Sequence, residues 1–158
     1  MQVIAVGNAF CGDDGVGAAV LAALAAPSVA PDARQRQAAS LRLVDLGTDA
    51  LALVEALRPD EPCVVVDAAR MGREPGAVVA FRPDEARLHI RGDGLSLHGL
   101  GLAEAFALAG QLGRMPEDVL VVGVEPAGVV PGTGLSDAVA AAVPRVVGII
   151  KAEVQRHE

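Results

Sequence analysis

The chain has 158 residues, 52% of them hydrophobic and only 2% aromatic, so it is long enough to fold as a single domain over residues 1–158, burying roughly two thirds of the surface exposed when unfolded. Thirteen basic against twenty acidic side chains leave a net charge of −7 with no basic cluster, which argues against nucleic acid and anionic membrane as partners. The apolar runs are too short or too broken by Gly and Pro to cross a bilayer, and the first residues read as a strand rather than a basic leader with a cleavage site, so a cytoplasmic, monomeric protein is expected.

Residues 2 to 6 read as a first strand, and the glycine-rich stretch GNAFCGDDGVG (7–17) turns it into a helix over 14–25, introduced by Asp13 and Asp14 and closed by Pro27. Residues 26–40 are polar and proline-containing, a surface connection, after which Leu41–Asp45 is a second strand. Thr48 is the expected N-cap of a helix with Ala50, Leu53, Val54 and Leu57 on one face, stopped before Pro59. Cys63-Val64-Val65-Val66-Asp67 is an unbroken apolar run ending in a carboxylate, as in a central parallel strand buried on both faces. Gly76–Phe81 is a strand at or near an edge, and the short MGREPG connection before it suits an antiparallel partner. A helix over about 98–111, a last strand at Val119–Val124 and a closing segment over 135–155 complete the chain; Pro144 either kinks that segment or opens a shorter helix. The pattern predicts an α/β fold: a three-layer αβα sandwich around a largely parallel five-stranded sheet with one antiparallel edge strand.

The glycine-rich turn is the wrong device for a phosphate. Its spacing matches neither the dinucleotide fingerprint nor the lysine-bearing P-loop, and Asp13 and Asp14 would repel an anion. One aspartate at a helix start can cap free amides; two in tandem suggest that one caps while the other projects into a cleft. Asp67 ends a strand expected to neighbour the first, so its carboxylate would meet the turn at the sheet edge where α/β folds place ligands. His98 follows a glycine-bearing loop and opens an apolar helix, whereas His89 lies in a charged stretch and His157 near the end of the chain. Gly94-Leu95-Ser96-Leu97-His98 misses the final glycine of a nucleophile elbow. Cys11 lies among carboxylates that disfavour a thiolate, and Cys63 reads as a small core residue. Two carboxylates and one imidazole remain, a ligand set suited to zinc, nickel or a similar divalent ion with room for water or a substrate group.

With GNAFCGDDGVG after the first strand, VVVDAARMG after the third, His98 before a helix and Gly123-Val124-Glu125-Pro126 after the last strand, the chain resembles the hydrogenase maturation proteases from residue 1 to about 150. The resemblance implies an endopeptidase, aspartic-type or metal-recognising, that removes the C-terminal extension of a nickel-iron hydrogenase large-subunit precursor once nickel is inserted. It places the metal-contacting residues at Asp14, Asp67 and His98, with Asp14 and Asp67 also the catalytic candidates. Asp13 is left to capping, and Glu125 falls in a family-like motif with a structural role in view. The nickel is carried by the substrate, with zinc or cadmium able to stand in for it in a crystal, and no organic cofactor is implied. A nickel-binding maturation chaperone that does not cleave, or a metal-dependent hydrolase of another substrate, are the alternatives.

Overall fold

A computed structural model describes residues 1–26, 41–90 and 101–157. Five strands, β1 (Gln2–Ala5), β2 (Arg42–Asp45), β3 (Cys63–Ala68), β4 (Val78–Phe81) and β5 (Val119–Val124), form one sheet in the order β2-β1-β3-β5-β4. β1 runs parallel to both β2 and β3, and β3 parallel to β5. Only β4 is antiparallel, paired with β5 at the sheet edge. The helices are α1 (Val16–Ala25), α2 (Ala50–Ala56), α3 (Ala86–His89), α4 (Leu102–Gln111) and α5 (Asp137–Arg156).

Both faces of the sheet are covered, which is why its central strands are runs of valine and not alternating patterns. Ile4, Val65 and Val121 pack in one core with Leu53, Leu57, Ala105 and Phe106 of α2 and α4. Val3, Val64, Val66 and Val122 pack in the other with Val16 and Val20 of α1 and Val139, Val146 and Ile150 of α5. Each fully buried side chain of this kind contributes about 1.5–3 kcal/mol of transfer free energy, so three consecutive valines on β3 anchor both layers at once. The three-layer α/β architecture is the one expected.

Local differences have identifiable causes. Asp13 and Asp14 sit in a short 3-10 turn, Gly12–Gly15, and α1 begins only at Val16 with Gly15 as its N-cap and no side-chain cap. Asp13, expected as the cap of this helix, lies outside it. The N-cap of α2 is Asp49 and not Thr48: its carboxylate accepts from the Leu51 and Ala52 amides at 2.9 and 3.2 Å, and a negative charge there also meets the positive end of the helix. Helix α5 runs unbroken past Pro144. The buried stripe Val139, Ala142, Val146, Ile150 and Val154 lies on its other side, while Pro144 and Ala140 are exposed, so the carbonyl that Pro144 leaves unserved can be met by water. Residues 91–100, which hold His98 and Ser96, and residues 27–40 lie outside the described residues.

Candidate active site

Strands β1, β3 and β5 all end at one edge, and the segments leaving them meet there. The chain leaving β1 reverses at Gly7, whose φ of +122° belongs to the region open to glycine; a Cβ there would stand 2.2 Å from the Asp14 carbonyl oxygen. That close return seats Asp14 over the end of β1. The Asp14 side chain is 9% exposed, and its Oδ2 accepts from the Asn8 amide at 2.7 Å. The Asn8 Oδ1 in turn accepts from the Phe10 amide at 2.9 Å, a local turn that holds the loop in shape.

Asp13 points the other way and does a different job. Its Oδ2 accepts from the Ala127 and Gly128 amides at 2.7 and 3.1 Å and from the Ser136 hydroxyl at 2.9 Å, while Oδ1 accepts from the Ser136 amide at 2.6 Å. The same hydroxyl accepts from the Val139 amide at 3.4 Å as the N-cap of α5. Burial alone would raise the Asp13 pKa, but these bonds from Ser136, Gly128 and Ala127 outweigh it and hold the carboxyl below its ordinary range. Asp13 thus secures the start of the last helix and the loop before it, and it does not cap α1.

Asp67 stands at the end of β3, beyond the fully buried valines and beside Gly123 in the register with β5. Burial first, and then the negative charge of Asp14, push its carboxyl up to about 8, only partly offset by the Ala68 amide. At neutral pH the group is therefore mainly protonated, although its side chain is only partly shielded from solvent. The Val6 amide donates to the Val66 carbonyl at 3.0 Å, and the Asp14 Oδ1 lies 3.1 Å from where a Cβ on Gly7 would stand, so the chain leaving β1 seats Asp14 at the same sheet edge as Asp67. Among the described residues no lysine or arginine forms an ion pair or a hydrogen bond with either of them.

The loop after Asp67 is shaped by Glu125, which is 5% exposed. Its Oε2 accepts from the Met71 amide at 2.6 Å and the Arg73 amide at 3.1 Å, and its backbone pairs with Gly76 and Ala77 at 2.8 and 2.9 Å. Glu125 is thus built into the scaffold under the loop. Its motif was visible in the sequence; its partners, 52 and 54 positions away, were not.

A family model described as hydrogenase maturation protease matches residues 30–153, well over half of the chain. The chain belongs to the hydrogenase maturation protease family. It is 32% identical over 124 residues to the hydrogenase expression/formation protein HupD of Thiocapsa roseopersicina, an alignment covering 78% of this chain and 53% of that protein. It is 26% identical over 142 residues to the hydrogenase 2 maturation protease of Escherichia coli K12, covering 89% and 82% of the two chains. The chain spans about half the length of the first of these relatives. The solved hydrogenase maturating endopeptidase HybD from E. coli has the same fold, with a TM-score of 0.77 over 99% of this chain and 94% of that one at 23% identity. HybD from Thermococcus kodakarensis, a [NiFe] hydrogenase maturation protease, gives a TM-score of 0.68 at 25% identity over 98% and 99% of the chains. Because the family model's match begins at residue 30, it spans Asp67 and His98 but not the acidic turn.

The rest of this maturation protease homologue offers fewer candidates. Cys63 is buried and its thiol pushed up to about 12, chiefly by burial, so it is inert. Cys11 is half-buried and faces Pro131 in an isolated antiparallel bridge. His89 is not the exposed residue its charged surroundings suggested: it stacks on Phe81 with ring centroids 4.9 Å apart. A cleft of about 700 Å³, lined by Arg82, Phe106, Met115, Asp118 and Val119 among others, opens at the opposite end of the sheet, where β5 begins. Next to it Asp118, Glu153 and His157 come close enough together to hold a cation. That place is already taken by guanidinium groups: Arg82 pairs with Asp118 at 2.5 Å, and Arg156 pairs with Asp118 at 2.6 Å and with Glu153.

Proposed function

We propose that this chain is an endopeptidase that removes the C-terminal extension of a nickel-iron hydrogenase large-subunit precursor after nickel insertion, recognising the nickel held by that substrate. The single observation that carries this reading is that Asp14 and Asp67 meet at the carboxyl end of a parallel sheet and that neither forms an ion pair with a lysine or arginine among the described residues. Family membership and the likeness to a solved hydrogenase maturating endopeptidase and a solved [NiFe] hydrogenase maturation protease support it.

On this reading Asp14, Asp67 and His98 face the substrate's nickel, and the scissile peptide is positioned beside them. Asp14 is oriented for that task by the Asn8 amide and by the close turn at Gly7. The Asp67 proton, held in the free protein by burial and by the charge of Asp14, is given up when a divalent cation arrives, since an adjacent positive charge favours the carboxylate. One of the two carboxylates then receives a proton from the attacking water, and the leaving amine takes one up as the C–N bond breaks. Nickel accepts such oxygen and imidazole donors readily, which suits an inspection of the substrate's metal better than permanent ownership of it.

The test is the intact mass of a cognate precursor, nickel-loaded and nickel-free, after incubation with the protein. One loss of a C-terminal peptide in the loaded sample alone supports both the protease and its metal gate. Loss in both samples keeps the protease and removes the gate. No loss in either, with a folded and matched precursor, overturns the reading in favour of a binding module.

A further inference from the structure

Phe10, one of three phenylalanines in the chain, is 81% exposed, and Val130 is 55% exposed. Neither is loose. Phe10 lies in the turn that orients Asp14: the Asn8 amide donates to Asp14 and the Asn8 side chain accepts from the Phe10 amide. The Phe10 carbonyl accepts from Gly132 at 2.8 Å, the Gly12 amide donates to Thr133 at 3.1 Å, and the Thr133 hydroxyl donates to the Val130 carbonyl at 2.7 Å. The antiparallel bridge between Cys11 and Pro131 sets Phe10 opposite Gly132 and Val130 opposite Gly12, so neither apolar side chain is covered by the residue across from it. The pairing is close: a Cβ on Gly12, whose φ is +58°, would stand 2.9 Å from the Gly128 carbonyl oxygen and 3.1 Å from the Val130 amide nitrogen. Asp13 holds the far side of the same loop through Ala127 and Gly128.

Hydrogen bonds fix the backbone that carries both side chains, so covering them costs little loop-ordering entropy, and aromatic residues so placed dominate the energetics of protein contacts. Two of the other exposed large apolar side chains among the described residues, Leu88 and Leu112, stand at the opposite end of the sheet, and Leu51 lies at the start of α2. We propose that Phe10 and Val130 form a preorganised ridge that docks an apolar segment of the precursor polypeptide beside its metal-bearing site. The complementarity is of two kinds. The carboxylates Asp14 and Asp67 demand a cation, and the ridge at their rim demands an apolar collar around it. The inference rests on the proposed protease function for the identity of its occupant.

The experiment measures binding of the nickel-loaded precursor to the full-length wild type and to Phe10→Ser, Val130→Ser, the double variant and Leu88→Ser, with cleavage followed in parallel. Both ridge positions are exposed, so melting temperatures close to wild type are expected and serve as the folding check. The double variant is expected to bind at least about tenfold more weakly, as truncation of an interface aromatic does, and to recover its cleavage rate at saturating precursor; Leu88→Ser is expected to match wild type. Unchanged affinity in the double variant, or an equal loss in Leu88→Ser, overturns the ridge. If wild type binds but does not cleave, the protease reading fails while the comparison of affinities still decides the ridge. If wild type does not bind the precursor, the ridge falls with it.

Discussion

Two acidic clusters stand at opposite ends of the same sheet. At the end where β5 begins, Asp118 and Glu153 are met by Arg82, Arg156 and His157, so each carboxylate has a positive or hydrogen-donating neighbour within about ordinary contact distance. Burial pushes Asp118 up, but the guanidiniums of Arg156 and Arg82 prevail and hold it below the usual carboxylate range. At the other end Asp14 and Asp67 have each other and a few amides, and Asp67 is driven up to about 8 instead. The same residue type answers in opposite directions because burial, helped by the charge of Asp14, goes unopposed by any cation at Asp67, whereas at Asp118 two guanidiniums outweigh it. On the function proposed above, the cluster left short of positive charge is the one that meets the cation carried by the substrate.

The sharpest way to break this comparison is to neutralise each cluster in turn. Asp14→Asn or Asp67→Asn is expected to cut precursor processing by about a thousandfold in single-turnover assays, the scale of losing an acid–base group, while Asp118→Asn stays within about twofold of wild type. Equal losses at both ends would remove the functional distinction. A second effect concerns Asp13, which fits neither cluster. Asp13→Ala leaves three backbone amides and a hydroxyl without their acceptor and is expected to cost roughly 3 kcal/mol, lowering the melting temperature by about 6–12 °C. Its folded-state pKa lies below the ordinary 3.8, so its contribution is fully present above that value and is lost as the pH falls through the lowered one. Calorimetry should accordingly show Asp13→Ala converging on wild type in strong acid.

Asp67 predicts the opposite pH trend. Its folded pKa of about 8 stands above 3.8, so the folded protein keeps a proton that the unfolded chain releases, and stability drains away as the pH rises between those values. Metal-free Asp67→Asn is therefore expected to melt roughly 5 °C above wild type at pH 8 and much closer to it at pH 5; a uniform shift, or a fall, would contradict the burial of that charge. Smallest of all, Arg156→Ala should move the melting temperature by no more than about 2 °C, and 1 M salt should erase the difference, because exposed ion pairs are weak and screened.

What could be read from the amino acids alone follows the range of the interactions involved. The valine run of β3, the strand order that sets Asp67 beside the turn after β1, and the antiparallel edge strand all follow from local patterning and the short MGREPG connection. Asp13 and Asp14 could not be told apart that way. Asp14 is placed by neighbours within six positions, at Gly7 and Asn8, whereas Asp13 is placed by Ser136. Glu125 was visible as a motif, but its grip on the loop after Asp67 exists only in the folded chain. Asp49 displaces Thr48 as a cap by one position, a choice between two good capping residues that only the turn geometry decides. Pro144 is tolerated because it falls on the exposed side of α5, and that side is set by the packing of the buried stripe.

The bond from Asp13 to Ser136 spans 123 positions of chain. A ribosome adding roughly 5–20 residues per second needs on the order of ten seconds to travel between them. Throughout that interval the Asp13 carboxylate has been made without its Ser136 partner, and for most of it the strand that will lie beside Asp67 on its far side is unfinished as well. Asp14 takes its contacts from neighbours close in the chain, but the Asp13 side of the same turn is fixed only once Ser136 has been made, so a chain that stops short of Ser136 cannot hold the turn from both sides.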